Sequence, residues 1–165
     1  MTAYLPGLLE RLMGERAHPG RPAGEQLRDS IARDLEALLN ARAGLPPGAF
    51  DAWPLARASV LNYGLTDFAA FCLSSSEDRA AICACLKEAI ERHEPRLKNV
   101  SATLAPEQGG VNHLNFVINA TLHAGPGAAV VPVNFNAVLQ PSSLNYAICK
   151  AAASTPQRTS TWIST

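Results

Sequence analysis

The decisive stretch is His113-Leu114-Asn115-Phe116-Val117-Ile118-Asn119-Ala120-Thr121-Leu122. Leu114, Phe116, Ile118, Ala120 and Leu122 alternate with His113, Asn115, Val117, Asn119 and Thr121. Successive side chains of a strand point to opposite faces, so a period of two describes a strand with one buried face. The same period recurs on both sides. Upstream, Leu97–Leu104 sets Val100, Ala102 and Leu104 in alternation. Downstream, past the turn residues Ala124-Gly125-Pro126-Gly127, Val131, Val133, Phe135 and Ala137 alternate with Pro132, Asn134, Asn136 and Val138. Consecutive strands usually pair, so the three predict a small, mainly antiparallel sheet.

Before residue 97 the period is helical. Leu27, Ile31, Leu35, Leu38 and Leu39 form one apolar stripe over residues 25–42, ended by Gly44 with Pro46 and Pro47 beyond. Residues 43–58 read as a loop, and 59–68 show no regular period. Ser74 and Glu77 have the spacing of a capping box. The helix they open runs to about His93, with Ile82, Leu86, Ala89 and Ile90 on one side. Pro95 disfavours helical backbone at Glu94 and stops it. Leu5, Leu8, Leu9, Leu12 and Met13 predict a short first helix over residues 4–13, tethered by a linker at 14–24. Such a helix docks separately, on the domain or on a partner. Helices first and strands last predict a two-layer α+β domain, with helices packed on the C-terminal sheet. The expected division is 1–24 for the helix and linker, 25–150 for the domain and 151–165 for a flexible tail rich in Ser and Thr.

With 165 residues and 47% hydrophobic composition, one domain with a substantial core is expected. Basic and acidic residues balance at 14 each, which argues against a net basic nucleic-acid binder. No apolar run reaches the ~18–20 residues of a membrane span. The N-terminus has no basic segment before an apolar core, so no secretory signal is expected. Cys72, Cys83, Cys85 and Cys149 then read as reduced thiols, and no spacing suits zinc. No phosphate-binding or dinucleotide fingerprint is present, so no metal or cofactor is expected.

Charge is unevenly distributed. Residues 1–96 hold 11 of the basic and 13 of the acidic residues. Residues 97–165 hold only Lys98, Glu107, Lys150 and Arg158. The outward strand positions are Asn, Thr, Ser and His, with Pro132 the one device that usually protects an edge. An uncharged, amide-rich edge can accept a strand from another chain. A helix or loop of the same chain could equally cover it.

Few residues suggest catalysis. Glu91 and Glu94 are three apart and could share a helix face, whereas a retaining glycosidase needs carboxyls ~5–5.5 Å apart across a cleft. A charged, solvated helix face accounts for them more simply. Asn62-Tyr63-Gly64 reads as a turn with positive φ at Gly64. Glu94-Pro95-Arg96 stands out at the helix-to-strand junction. Proline stiffens the corner between a carboxylate and a guanidinium. The two either close the helix end as a local ion pair or form a docking point, where Arg binds a partner carboxylate bidentately.

Several ordered blocks resemble the TssE family, baseplate subunits of the type VI secretion system. Asp34-Leu35-Glu36-Ala37-Leu38-Leu39-Asn40-Ala41-Arg42 resembles its helix motif. Ser59-Val60-Leu61-Asn62-Tyr63-Gly64-Leu65 with Asp67 resembles its next block, and Glu94-Pro95-Arg96-Leu97 its Glu-Pro-Arg motif. Leu8-Leu9-Glu10-Arg11-Leu12, the strand through Leu114, Phe116, Ile118 and Ala120, and Pro132-Val133-Asn134-Phe135 also fit. The resemblance spans roughly residues 5–145. Thr66 stands where proline is usual, and residues 146–165 have no counterpart.

The resemblance implies a structural wedge of a contractile-tail baseplate, similar to the lysozyme-like wedge protein of contractile phages, and not an enzyme. It implies partner-binding roles for Glu94, Pro95 and Arg96, with Asp34, Asn40, Arg42, Asn62, Tyr63 and Gly64. The implied partners are the baseplate subunits TssF, TssG and TssK. The sheet would start sheath polymerisation by strand exchange with TssB and TssC. The implied place is cytoplasmic, in a baseplate docked at the inner membrane, with no nucleic acid, membrane insertion or small-molecule substrate. The alternatives are the equivalent wedge of a phage tail or related injection particle and, as a minor one, a peptidoglycan hydrolase using Glu91 and Glu94.

Overall fold

The computed structural model describes residues 12–13, 20–46, 48–68, 71–72, 75–105, 114–123, 130–140 and 145–150. Helix α1 spans Ala23–Asn40. Its apolar stripe is the predicted one, with Ile31, Leu35, Leu38 and Leu39 at most 2% exposed. It stops two residues earlier than the sequence suggests. Leu65 N–H donates to Ala41 C=O and Ala43 N–H to Leu65 C=O, each at 2.9 Å. Arg42 thereby forms a parallel bridge with Leu65, and this long-range pairing displaces the last helical turn.

The predicted loop contains a one-turn helix, α2 (Pro54–Arg57), with Pro54 at its start, where its fixed φ suits a first turn. A 3₁₀ turn follows at Val60–Asn62. Helix α3 spans Ser76–His93. Its cap is Ser75, whose side chain accepts from Asp78 N–H at 3.3 Å, one residue beyond the predicted Ser74. Ile82, Leu86, Ala89 and Ile90 form its buried face.

The sheet comprises β1 (Leu97–Leu104), β2 (Leu114–His123), β3 (Val130–Gln140) and β4 (Asn145–Lys150). It is an antiparallel meander in the order β1-β2-β3-β4. The fourth strand is absent from the sequence reading. Its run is short, and the only apolar alternation is Tyr146 with Ile148. Phe116, Ile118, Ala120 and Leu122 of β2 and Val133, Phe135, Ala137 and Leu139 of β3 are buried, as the period of two requires. Val131 instead lies at the exposed end of β3.

Strand β1 departs from strict alternation for a physical reason. Leu97 and Val100 are three apart yet both buried. The register shifts between Lys98 and Ser101, and Asn99 has φ 53°. Asn tolerates this left-handed conformation better than most residues, so the bulge re-aims the strand and keeps both side chains in the core.

Helix α3 packs on β1 and α1 on β4, side by side over one sheet face. The α+β, two-layer expectation therefore holds. Among the described residues no helix is long and apolar enough to cross a membrane. The predicted turn at 124–127, the tail at 151–165 and nearly all of the 4–13 helix lie outside the described residues. Leu12 and Met13 are 73% and 75% exposed.

Candidate functional site

Three segments distant in sequence meet at one end of the helical layer. They are the middle of α1 at Asp34, the exit of the 3₁₀ turn at Tyr63, and the corner between α3 and β1. Together they line a cavity of about 350 Å³, with Asp34, Tyr63, His93, Glu94, Pro95 and Arg96 on its walls.

The corner is built around Arg96. Its Nε donates to Glu94 Oε1 at 2.6 Å, its backbone N–H to the same oxygen at 3.2 Å, and its Nη2 to Glu94 Oε2. Nη2 also donates to Asp34 Oδ2 across the layer. Glu94 is 5% exposed, so this bidentate pair is largely out of water. Pro95, itself exposed, fixes the turn that brings residues two apart into this fork. Hydrogen bonding to Glu94, more than any other cause, raises the Arg96 pKa well above its ordinary value; burial opposes this and Asp34 adds to it. Of the two sequence readings, the ion pair is present, and it is an inward one. It ties α1, the end of α3 and the start of β1 together.

Tyr63 and His93 form the opposite wall. Their rings meet edge to face with centroids 5.3 Å apart. His93 Nε2 lies 2.9 Å from Asn62 C=O, so Nε2 carries the proton it donates. Burial lowers the His93 pKa, with Arg92 adding and the Asn62 contact opposing. Burial raises the Tyr63 pKa, helped by the charges of Asp34 and Glu94. The separation of Tyr63 and His93 along the chain carries no signal of this contact.

The remaining predicted residues hold the site or lie apart from it. Gly64 has φ +112°, and a Cβ there would stand 2.6 Å from Ala41 O. Only glycine fits this close approach, which seats Tyr63 against α1. Asn62 Nδ2 donates to Arg57 C=O at 3.1 Å. Asn40 lies away from the cavity, with its amide on the backbone of Tyr146. Arg42 enters through its backbone bridge to Leu65.

This geometry does not resemble an acid–base pair. Both Glu94 oxygens accept from Arg96, and Glu91 is exposed and outside the cavity wall. Among the described residues no group of His, Cys, Asp or Glu could hold a metal ion.

A family model described as "Baseplate wedge protein gp25" matches residues 25–127. The chain belongs to this family. The matched span of the wedge family contains every residue of the cavity, together with α1 from Glu25 onward, α3, β1 and β2; β3 and β4 lie beyond it. A solved chain from "The baseplate complex from the type VI secretion system" is similar at 16% identity, with a TM-score of 0.47. The match covers 70% of this chain and 96% of that one. No curated protein matches.

Proposed function

We propose that this chain is a structural wedge subunit of a type VI secretion baseplate, joining the baseplate to the contractile sheath. It acts in the cytoplasm, in a baseplate docked at the inner membrane, and it is not an enzyme. The observation that carries the reading is convergence. The helix block, the Asn62-Tyr63-Gly64 block and the Glu-Pro-Arg block, each resembling the TssE family, supply the walls of one cavity. Their wedge-family membership supports the baseplate role.

In this reading the cavity rim meets TssF and TssG, with TssK in the same assembly. Exposed Pro95, half-buried Tyr63 and the outward part of Asp34 make the contact, while Glu94 holds Arg96 in place. The sheet accepts strands from TssB and TssC and starts sheath polymerisation. Main-chain hydrogen bonds supply the affinity, and repetition around a ring lets each contact be weak.

The test uses cells lacking this gene and carrying a fluorescent sheath subunit. Wild type should restore extended sheaths. Glu94→Leu with Arg96→Met, which removes the fork without stranding a charge, should be present at normal level and restore none. Normal sheaths in that strain would refute the docking role of the corner. Failure of wild type to restore them, in otherwise complete cells, would refute the secretion-system assignment in favour of the phage-type wedge.

A further inference from the structure

The two edges of the sheet differ. The outer edge of β4 is already engaged by α1. Asn40 Nδ2 donates to Tyr146 C=O at 2.9 Å, and its Oδ1 accepts from Tyr146 N–H at 2.8 Å. Glu36 accepts from Ile148 N–H at 3.1 Å. Helix side chains therefore stand where a fifth strand would pair, which is one way proteins blunt an edge.

At the outer edge of β1, Cys83 of α3 bonds the backbone of Leu104, but among the described residues no side-chain bond reaches the backbone of Ala102. Ala105 N–H donates to Asn115 C=O at 2.7 Å, and Thr103 and Ser101 stand opposite Val117 and Asn119. Alternation in an antiparallel ladder then turns the N–H and C=O of Ala102 away from β2. Beside this edge runs a groove of about 560 Å³ between β1 and α3. Ala80, Cys83 and Ala84 form its helix wall; Ala102 and Leu104 form its strand wall. Small side chains on the helix leave the width that an added strand needs.

The groove is also charged at two points. Arg79 and Lys87 line it, and neither has a carboxylate partner among the described residues. They are eight residues apart on α3, about 12 Å along the axis. Residues i and i+4 of a strand share a face and are about 13 Å apart. The two spacings coincide.

We infer that β1, not β4, is the edge that accepts a partner strand, and that its groove selects an extended segment with acidic residues four apart and small apolar residues between them. This deepens the strand-addition part of the function proposed above and rests on it. Main-chain pairing at Ala102 anchors the strand to the edge. Arg79 and Lys87 set its register, because a slip of one residue would turn both carboxylates to the other face.

The probe is a fluorescein-labelled peptide of about ten residues, with glutamates four apart and valine or alanine at the alternate positions. Binding to the full chain is read by fluorescence anisotropy. Wild type should bind the glutamate peptide and not its lysine counterpart. Arg79→Glu with Lys87→Glu should weaken binding at least about tenfold and admit the lysine peptide. Ala102→Pro, which removes an outward N–H and leaves the β2 ladder intact, should abolish binding. Both charges are on the surface, so the reversed variant decides the matter even if the proline variant misfolds.

No binding by wild type, or equal binding by the charge-reversed variant, overturns the inference. Binding to Ala102→Pro at wild-type strength, with circular dichroism unchanged, overturns the edge assignment. The charge-reversed variant is also placed in the sheath-assembly strain. Loss of both peptide binding and sheath extension supports the inference. Normal sheaths despite lost peptide binding refute strand addition to the sheath through this edge, and so overturn the inference while leaving the docking corner untouched.

Discussion

Arg96→Met should destabilise the domain by about 3 kcal/mol. Glu94 is 5% exposed, and its carboxylate receives three hydrogen bonds from Arg96: the backbone N–H, Nε and Nη2. The substitution leaves the carboxylate buried with only the backbone donor. Removing one partner of a fully buried pair costs about 3–5 kcal/mol. The Arg96 side chain is 30% exposed, so water can partly reach the vacated space, and the lower end applies. The lost contact to Asp34 adds little, because that carboxylate is 52% exposed. For a domain of this size, about 3 kcal/mol lowers Tm by roughly 6–12 °C. Adding Glu94→Leu removes the stranded charge, and the double variant should return to within about 1 kcal/mol of wild type. Urea and thermal unfolding, followed by circular dichroism at neutral pH, measure both. The reasoning is refuted if Arg96→Met costs less than about 1 kcal/mol, or if the double variant is no more stable than the single one.

Gly64→Ala should cost about 2–4 kcal/mol, since alanine meets both a positive φ and the Ala41 carbonyl; thermal unfolding checks it, and a loss under about 1 kcal/mol would refute the close approach. Asn40→Ala should lower stability by about 1–2 kcal/mol and speed hydrogen exchange at the Tyr146 amide, with β1 amides unchanged. Stability should also fall on acidification because of His93. Its folded pKa lies below its ordinary value of 6.5, so the unfolded chain takes up the proton first. The contribution is full above the ordinary value, is lost as pH falls from there to the folded value, and is constant below. The difference between wild type and His93→Gln, measured by urea titration across that range, should show this slope.

The period of two over 113–122 and 131–137 placed β2 and most of β3, because alternation reports directly which residues face a core. The apolar stripes of α1 and α3 were legible for the same reason. Asn99 hid the bulge in β1, since a register shift is a relation between two strands and leaves no mark in one strand's period. Strand β4 was illegible because Tyr146 and Ile148 alone carry its alternation. The last turn of α1 was overestimated because Leu65, distant in sequence, takes up the backbone of residues 41–43. The Glu-Pro-Arg corner was conspicuous in the sequence, but not its inward orientation.

The ordered blocks carry a resemblance to a baseplate-wedge family; what the sequence determines by itself is α1, α3 and the first three strands, with most of the faces they bury. These follow from local periodicity and local backbone chemistry, which each segment carries alone. Only the tertiary structure decides which segments meet. It sets Asp34 on Arg96, Tyr63 on His93, Asn40 on the β4 edge, and Arg79 and Lys87 beside β1. Those contacts depend on how two helices lie across a twisted sheet, a geometry that the packing of the whole core sets.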